Sequence, residues 1–239
     1  MFCFRESVAL PRRPSFWRAS LTVAGKDLRM ELRAKEALNA ALAFAVVVLL
    51  LFSFAFDPAA EETRVMAGGL LWLVFAFAGM LILNRSFARE LPNDCLDGLR
   101  AAPLSGAALY LGKTLANWLL LMLVELAGLL VFGVFYNVAW TRRFWALMAV
   151  LALGTWALAV VGTLFGALVV NLRLRELMLP VLVYPVLIPA LLAAIRLSAP
   201  LAMGEALGSD MIIWLRLLAA SALVYTALAL VLAETALGG

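Results

Sequence analysis

Three groups of polar residues in this sequence could do chemistry: a glycine- and lysine-containing motif, a lone glutamate and a charged segment. The run from Gly106 to Thr114 resembles a phosphate-binding loop, in which backbone amides and a lysine hold the phosphates of a nucleotide. Its spacing is wrong by one residue, since that loop needs glycine where Ala107 stands, and no strand pattern precedes it. The sequence therefore predicts no ATP site in this chain, and Lys113 is expected to extend toward a membrane–water interface.

Glu125 is the second candidate, because it is the one charged residue between Lys113 and Arg142 in a long apolar run. An acid at the centre of a bilayer costs about 2.5–3.5 kcal/mol on insertion scales, so a buried partner or a polar pathway is expected. Two hypotheses stay open. Glu125 could carry protons along a polar pathway, or it could join two helices through hydrogen bonds, with Asn117 as a polar neighbour within the membrane.

The third group is the segment 85–105, a polar interruption between two apolar runs. Asn93 or Asp94 can cap a short helix there, with two leucines on one side and Asp97 on the other. Such a helix suits a soluble partner protein, whereas a solvated loop without a partner is the alternative. The candidate coupling residues are Arg85, Arg89, Glu90, Asp94, Leu96, Asp97, Gly98 and Leu99.

Enzymatic chemistry has few candidate residues here. The sequence contains no histidine, which removes the commonest general base, metal ligand and haem ligand. Its paired carboxylates lie in loops, where they would be solvated, so we predict no catalytic and no metal-binding residue. Cys3 and Cys95 fall in segments predicted to be cytoplasmic, where disulfides are rare, and we interpret both as free thiols.

The elements that position these residues follow from the composition. Hydrophobic residues make up 66% of the chain and charged residues only 14%, against about a quarter charged in globular proteins. The sequence therefore predicts an all-α integral membrane protein. Because a membrane helix needs about 20 apolar residues, the chain has room for six spans and no soluble domain. The predicted spans are 37–56, 66–84, 107–138, 144–170, 177–195 and 211–232.

Two spans carry further signals. The fifth contains Pro180, Pro185 and Pro189, which predicts a kinked or broken helix. Gly162 and Gly166 in the fourth are spaced for close helix packing or for a dimer face, and ordinary packing is the simpler interpretation.

The N-terminal part divides into a tail and a helix. Residues 1–15 show no periodicity and are predicted to be a disordered tail. Residues 16–35 place apolar side chains on one helical face and basic ones on the other. We expect this amphipathic helix to lie in the interface plane before the first span. A soluble helix packed on another chain is the alternative.

The loop charges indicate the orientation. With a cytoplasmic N-terminus, the inside segments carry fourteen Lys and Arg residues and the outside segments five. This is the positive-inside pattern, so both termini and the segment 85–105 are predicted to face the cytoplasm.

Several runs, in order along the chain, resemble the haem exporter protein B (CcmB) family. They are 84–90, 96–99 with Pro103, 110–113, and the shorter matches 31–33, 52–56, 69–72, 179–180, 184–185 and 188–189. The resemblance covers nearly the whole chain from about Phe16 onward. The N-terminal segment with Cys3 departs from the family pattern.

The resemblance implies an ABC-2-like permease in the bacterial inner membrane, with residues 16–239 as one membrane permease domain and 16–35 as its elbow helix. The implied partners are an ATPase subunit similar to CcmA, which binds the ATP, and membrane subunits similar to CcmC and CcmD. A second copy of the chain is a further candidate, and nucleic acid is not expected. In such a complex, ATP hydrolysis is expected to release the haem-loaded periplasmic chaperone CcmE.

We therefore predict a non-catalytic permease subunit of an ABC transporter in cytochrome c biogenesis. The helix at 94–99 is expected to sit in a cleft of the ATPase, with its base fixed by 85–90. Haem is expected in the complex, but the absence of histidine favours a mechanical role for this chain over haem ligation. The alternative is a stand-alone proton-coupled secondary transporter that uses Glu125, supported by proline-broken helices and a midplane acid.

Overall fold

The computed structural model describes residues 15–56, 61–88, 105–136, 140–170, 172–205 and 208–237, which contain helices and turns but no strand. A short 3-10 helix, Trp140–Arg143, precedes the fifth α-helix. The α-helices are α1 (Phe16–Ala34), α2 (Glu36–Ala55), α3 (Glu61–Ala88), α4 (Gly106–Phe135), α5 (Phe144–Val169), α6 (Arg175–Ala202) and α7 (Met211–Leu237).

Six of these helices, α2 to α7, are long and apolar enough to cross a membrane. The predicted all-α architecture of six spans preceded by one helix is therefore confirmed. The spans differ in burial. In the apolar stretch of α3, 67% of the residues are buried inside the chain, against 28% for α2 and 22% for α7. Helix α3 packs against α2, α4, α5 and α6. It forms the centre of the bundle, while α2 and α7 turn most of their surface outward.

Helix α6 departs from its prediction. It begins at Arg175 and continues to Ala202, beyond residue 195, where the predicted span ended. It also runs without a break past every proline in it, because contacts with α3, α5 and α7 support it along its length. These prolines are Pro180, Pro185, Pro189 and Pro200. Arg196, the first residue after the predicted span, lies 5.8 Å from the ring centroid of Trp214 in α7.

A tight joint connects α1 to α2. Lys35 has a φ of 57°, in the left-handed region, and its backbone N–H donates to the carbonyl of Glu31 at 2.6 Å. The side chain of Glu31 then accepts a 3.1 Å hydrogen bond from the backbone N–H of Leu38, in the first turn of α2. One buried glutamate therefore serves the end of α1 and the start of α2. The joint sets the direction of α1 relative to the first span.

Helix α1 lies directly on α4 at Gly112. A Cβ atom at this position would come within 2.6 Å of the Ser20 carbonyl oxygen and 2.7 Å of the Val23 Cβ. Only glycine allows this approach. Of the two glycines predicted to pack in the fourth span, Gly162 acts similarly, since a Cβ there would come within 2.5 Å of Leu83 in α3. Gly166 faces the same helix, but a Cβ there would make ordinary contacts of 3.7 Å with Leu83 and Phe87. Because α3 covers this face, it is not a dimer face.

The contact at Gly112 can be tested with a matched pair of substitutions. Gly112→Val should lower the free energy of unfolding by about 1–3 kcal/mol, because the added methyl groups overlap α1. Gly69→Val adds the same atoms to α3, where no described residue lies within 4 Å of the new Cβ, and should have little effect. Thermal unfolding in detergent measures both, and protease sensitivity near α1 reports its release. Equal unfolding midpoints for the two variants would contradict the packing described here.

Candidate coupling site at one end of the bundle

The predicted partner-binding segment lies mostly outside the described residues. Only Arg85 is described, whereas the remaining predicted coupling residues fall within 89–104. These are Arg89, Glu90, Asp94, Leu96, Asp97, Gly98 and Leu99. The two ends of the segment are described, since α3 ends at Ala88 and Ser105 precedes α4. The candidate site is therefore built from the groups that hold these two ends.

Lys113 is the central residue of this region. Its side chain is fully buried, at 0% exposure, and its ammonium lies 3.0 Å from a carboxylate oxygen of Asp27 in α1. The ammonium also donates to the backbone carbonyl of Ser86 at 3.2 Å and lies 4.8 Å from the ring centroid of Phe87, both in α3. The predicted extension of Lys113 toward the interface is wrong. A counter-ion, a carbonyl near the end of α3 and an aromatic face replace water around its charge.

Asp27 is a functional candidate that the sequence did not indicate. The amphipathic pattern placed it among the polar residues of α1, but its side chain is only 13% exposed and faces α4. Its second carboxylate oxygen lies 3.1 Å from the ammonium of Lys26. The partner Lys113 is 86 residues away in the sequence. No local pattern could have paired the two residues.

Asn117 lies one turn further along α4 and extends the polar contacts. Its amide nitrogen donates to the Ser86 hydroxyl at 2.9 Å and to the Thr163 hydroxyl of α5 at 2.8 Å. The side chains of this region form one connected group, which we call the Lys113 cluster. Its members are Asp27, Ser86, Lys113, Asn117 and Thr163. The cluster joins α1, α3, α4 and α5 at the end of the bundle where the segment 89–104 leaves and returns.

Further contacts hold the two ends of that segment. Next to the cluster, Arg85 forms a 2.5 Å ion pair with Glu36 at the start of α2. Both side chains are well exposed, so this pair contributes at most about 1 kcal/mol. At the other end, the hydroxyl of Ser105 caps α4, and Glu234 of α7 accepts a 2.9 Å hydrogen bond from the backbone N–H of Ala107. The start of α4 is thereby tied to the end of α7.

Glu125 does not belong to this cluster. It lies eight residues beyond Asn117, about 12 Å along the helix axis, so the expected pairing of the two does not occur. One of its carboxylate oxygens accepts a hydrogen bond from the hydroxyl of Thr155 in α5. The other has no hydrogen-bond partner among the described residues. The bond to Thr155 is the contact expected of a glutamate that joins two helices.

The described residues offer no group of three His, Cys, Asp or Glu side chains that could hold a metal ion. The two cysteines, Cys3 and Cys95, lie outside the described ranges. What the Lys113 cluster can do is mechanical: a buried ion pair and shared amide and hydroxyl bonds resist separation of four helices in a low-dielectric setting.

The sequence profile of the CcmB protein family matches residues 18–237. Heme exporter protein B of Rhodobacter capsulatus is 35% identical over 167 residues, which cover 70% of this chain and 76% of the relative. The protein of the same name from Paracoccus denitrificans is 34% identical over 212 residues, or 89% of this chain and 95% of the relative. The one from Pseudomonas aeruginosa is 31% identical over 209 residues, or 86% and 91%. The match therefore extends from within α1 to the last residue of α7.

Substitutions at the ion pair test whether it holds the helices together. Asp27→Leu should cost about 3–5 kcal/mol, because it removes the carboxylate that lies beside the buried Lys113 ammonium. The double variant Asp27→Leu/Lys113→Met removes both charges and should recover part of that loss. Thermal or denaturant unfolding in detergent measures these differences as a double-mutant cycle.

The exposed pair provides the control for this cycle. Arg85→Gln/Glu36→Gln should cost no more than about 1 kcal/mol, because water solvates both charges. The ion-pair contribution would be contradicted if Asp27→Leu/Lys113→Met lowers the free energy of unfolding by as much as its two single variants added together.

Proposed function

The chain belongs to the CcmB protein family, and we propose that it is the membrane permease subunit of an ABC transporter complex in cytochrome c biogenesis. In this proposal, a separate ATPase subunit similar to CcmA binds and hydrolyses ATP. Further membrane subunits similar to CcmC and CcmD, and a second copy of this chain, are proposed partners. The complex lies in the bacterial inner membrane.

The orientation follows from the charges near the helix ends. We propose that the end bearing the Lys113 cluster faces the cytoplasm, because fourteen of the 19 Lys and Arg residues belong to segments assigned to that side. Both chain termini then face the cytoplasm as well. An ATPase in the cytoplasm would meet the segment 89–104, whose two ends the described contacts hold in place.

The observation that carries the proposal is the position of the Lys113 cluster. The segment 89–104 is covalently joined to α3 and α4, and the cluster bonds those helices to α1 and α5 close to the end of α3 and two to three turns into α4. A movement of the segment would therefore be passed to four helices together, rather than to a single flexible loop. This is the arrangement that a subunit driven by an external ATPase requires.

Haem enters the proposal as cargo of the complex, because the relatives are named heme exporter protein B. The sequence has no histidine, so haem contact at the proposed periplasmic end would rest on tyrosine, methionine or purely apolar packing. An apolar cavity with Phe52, Met66 and Tyr136 in its lining lies near the opposite end of the bundle. The hydroxyl of Tyr136 already donates to the carbonyl of Leu49 at 3.2 Å. We therefore propose a mechanical role: this chain drives release of a haem-loaded periplasmic chaperone similar to CcmE.

Substitutions in the proposed coupling helix test the ATPase contact. Asp97→Lys and Leu99→Asp should each reduce co-elution with the ATPase and the yield of c-type cytochrome at least about tenfold, because they place a reversed charge or a buried charge in the contact. The assay uses a host strain whose own copy of this subunit is deleted, with haem staining of its cytochromes.

The matched control is Asp210→Lys, which reverses the same charge on an exposed residue of the connection between α6 and α7. It should leave assembly and cytochrome yield unchanged. Wild-type assembly and activity in both coupling variants would refute the proposed ATPase contact.

Glu125 separates this proposal from proton-coupled transport. Glu125→Gln keeps an oxygen that can accept from Thr155, so the variant should fold and support cytochrome c maturation at close to the wild-type level. Thr155→Val should lower stability by about 1 kcal/mol, since it removes the bond between α4 and α5. If Glu125→Gln folds normally but abolishes maturation, Glu125 acts through its proton and the mechanical assignment fails at this residue.

A further inference from the structure

Helix α1 presents three different faces, and among the residues that the structure describes, the rest of the chain covers one of them. The covered face packs on α4 and includes Ser20, Val23 and Asp27. The two remaining faces are open in the structure. They differ in chemistry, and their order around the helix indicates what would cover them.

The first open face is apolar. Trp17 and Leu21 are one turn apart and are 66% and 62% exposed, and Leu32 on the same side is 40% exposed. Exposed side chains of this size on a helix that leads directly into a membrane span suit contact with lipid acyl chains. This face lies beside the surface that packs on α4.

The second open face is basic. Arg18, Arg29 and Arg33 lie on it, and all three are exposed. Neither Arg29 nor Arg33 has an ion-pair partner among the described residues. Lys26 lies at the edge of the same face, with its side chain 38% exposed. The apolar and basic faces meet along the line of Leu21 and Gly25.

A gap opens where the two faces meet. Gly25 has no side chain, and a Cβ placed on it would meet no atom of the described residues within 4 Å. The helical neighbours of Gly25 therefore frame an empty space, which is part of a groove along α1. Its lining combines cationic and apolar side chains, including Leu21, Lys26, Arg29 and Arg33. Glycine is not needed here for packing against another helix, in contrast to Gly112.

We propose that this groove binds the headgroup of an anionic phospholipid. The headgroup phosphate would occupy the gap at Gly25 beside Arg29, with Arg33 adding a second positive charge, while Lys26 at the edge of the groove is already paired with Asp27. The acyl chains would pass over Leu21 and Trp17 on the neighbouring face. Charge complementarity and the adjoining apolar surface select a lipid over a free anion, since only a lipid uses both faces. This inference does not depend on the proposed ATPase contact.

Lipid titration of the purified chain tests the site. Phosphatidylglycerol or phosphatidylcholine is added in detergent, and native mass spectrometry measures bound lipid. The wild-type chain should retain phosphatidylglycerol in preference to phosphatidylcholine. Arg29→Gln/Arg33→Gln should weaken retention of phosphatidylglycerol about tenfold, because each cation near an anionic headgroup contributes substantially to binding. Gly25→Leu should also weaken it, without any change of charge, by filling the gap.

The control variant Arg142→Gln/Arg143→Gln removes the same number of exposed charges from the 3-10 helix before α5 and should bind lipid as the wild type does. Equal losses in this control and in Arg29→Gln/Arg33→Gln would overturn the site in favour of diffuse electrostatics. Competition by inorganic phosphate at the same concentration as the lipid would also overturn it. The lipid site would also be overturned if Arg29→Gln/Arg33→Gln retains lipid normally but no longer co-elutes with the ATPase. The groove would then be a protein interface.

Discussion

The buried ion pair between Lys113 and Asp27 is the constraint on which this end of the molecule depends. A lysine inside a bundle of apolar helices is costly unless a counter-ion and hydrogen bonds replace its water. That requirement fixes the position of α1, which has to bring Asp27 within 3.0 Å of the ammonium. Gly112 makes the approach possible one residue earlier in α4. The joint at Lys35 directs α1 along the bundle rather than away from it.

The same ion pair belongs to the contacts that hold the ends of the polar segment between α3 and α4. Ser86 contributes both its carbonyl and its hydroxyl to the cluster, two residues before α3 ends. The junction between this segment and α4 is held differently, by the cap at Ser105 and by Glu234 of α7. Each end of the segment is thus bonded to more than one helix. We propose that this is how the movement of an ATPase reaches the bundle.

Sequence patterns predicted the parts of this structure that depend on local composition. The six spans and the amphipathic α1 follow from the length and periodicity of apolar runs, and both are present. The contacts that build the candidate site join residues far apart in the chain, such as Lys113 with Asp27 and Asn117 with Thr163. Nothing within one helix indicates such a partner, so Lys113 was expected to reach water. Tertiary support likewise explains why α6 continues past its prolines.

The claim that α1 and α3 move as one unit through the Lys113 cluster can be measured directly. Pulsed electron paramagnetic resonance would give the distance between nitroxide labels at Trp17→Cys in α1 and Leu81→Cys in α3, with Cys3 and Cys95 replaced by serine. In the complex with its ATPase, this distance should be the same in the nucleotide-free and ATP-bound states. Lys113→Met should broaden the distance distribution or make it change with ATP. A distance that changes with ATP while the ion pair is intact would contradict the account, as would an unaltered narrow distribution in Lys113→Met.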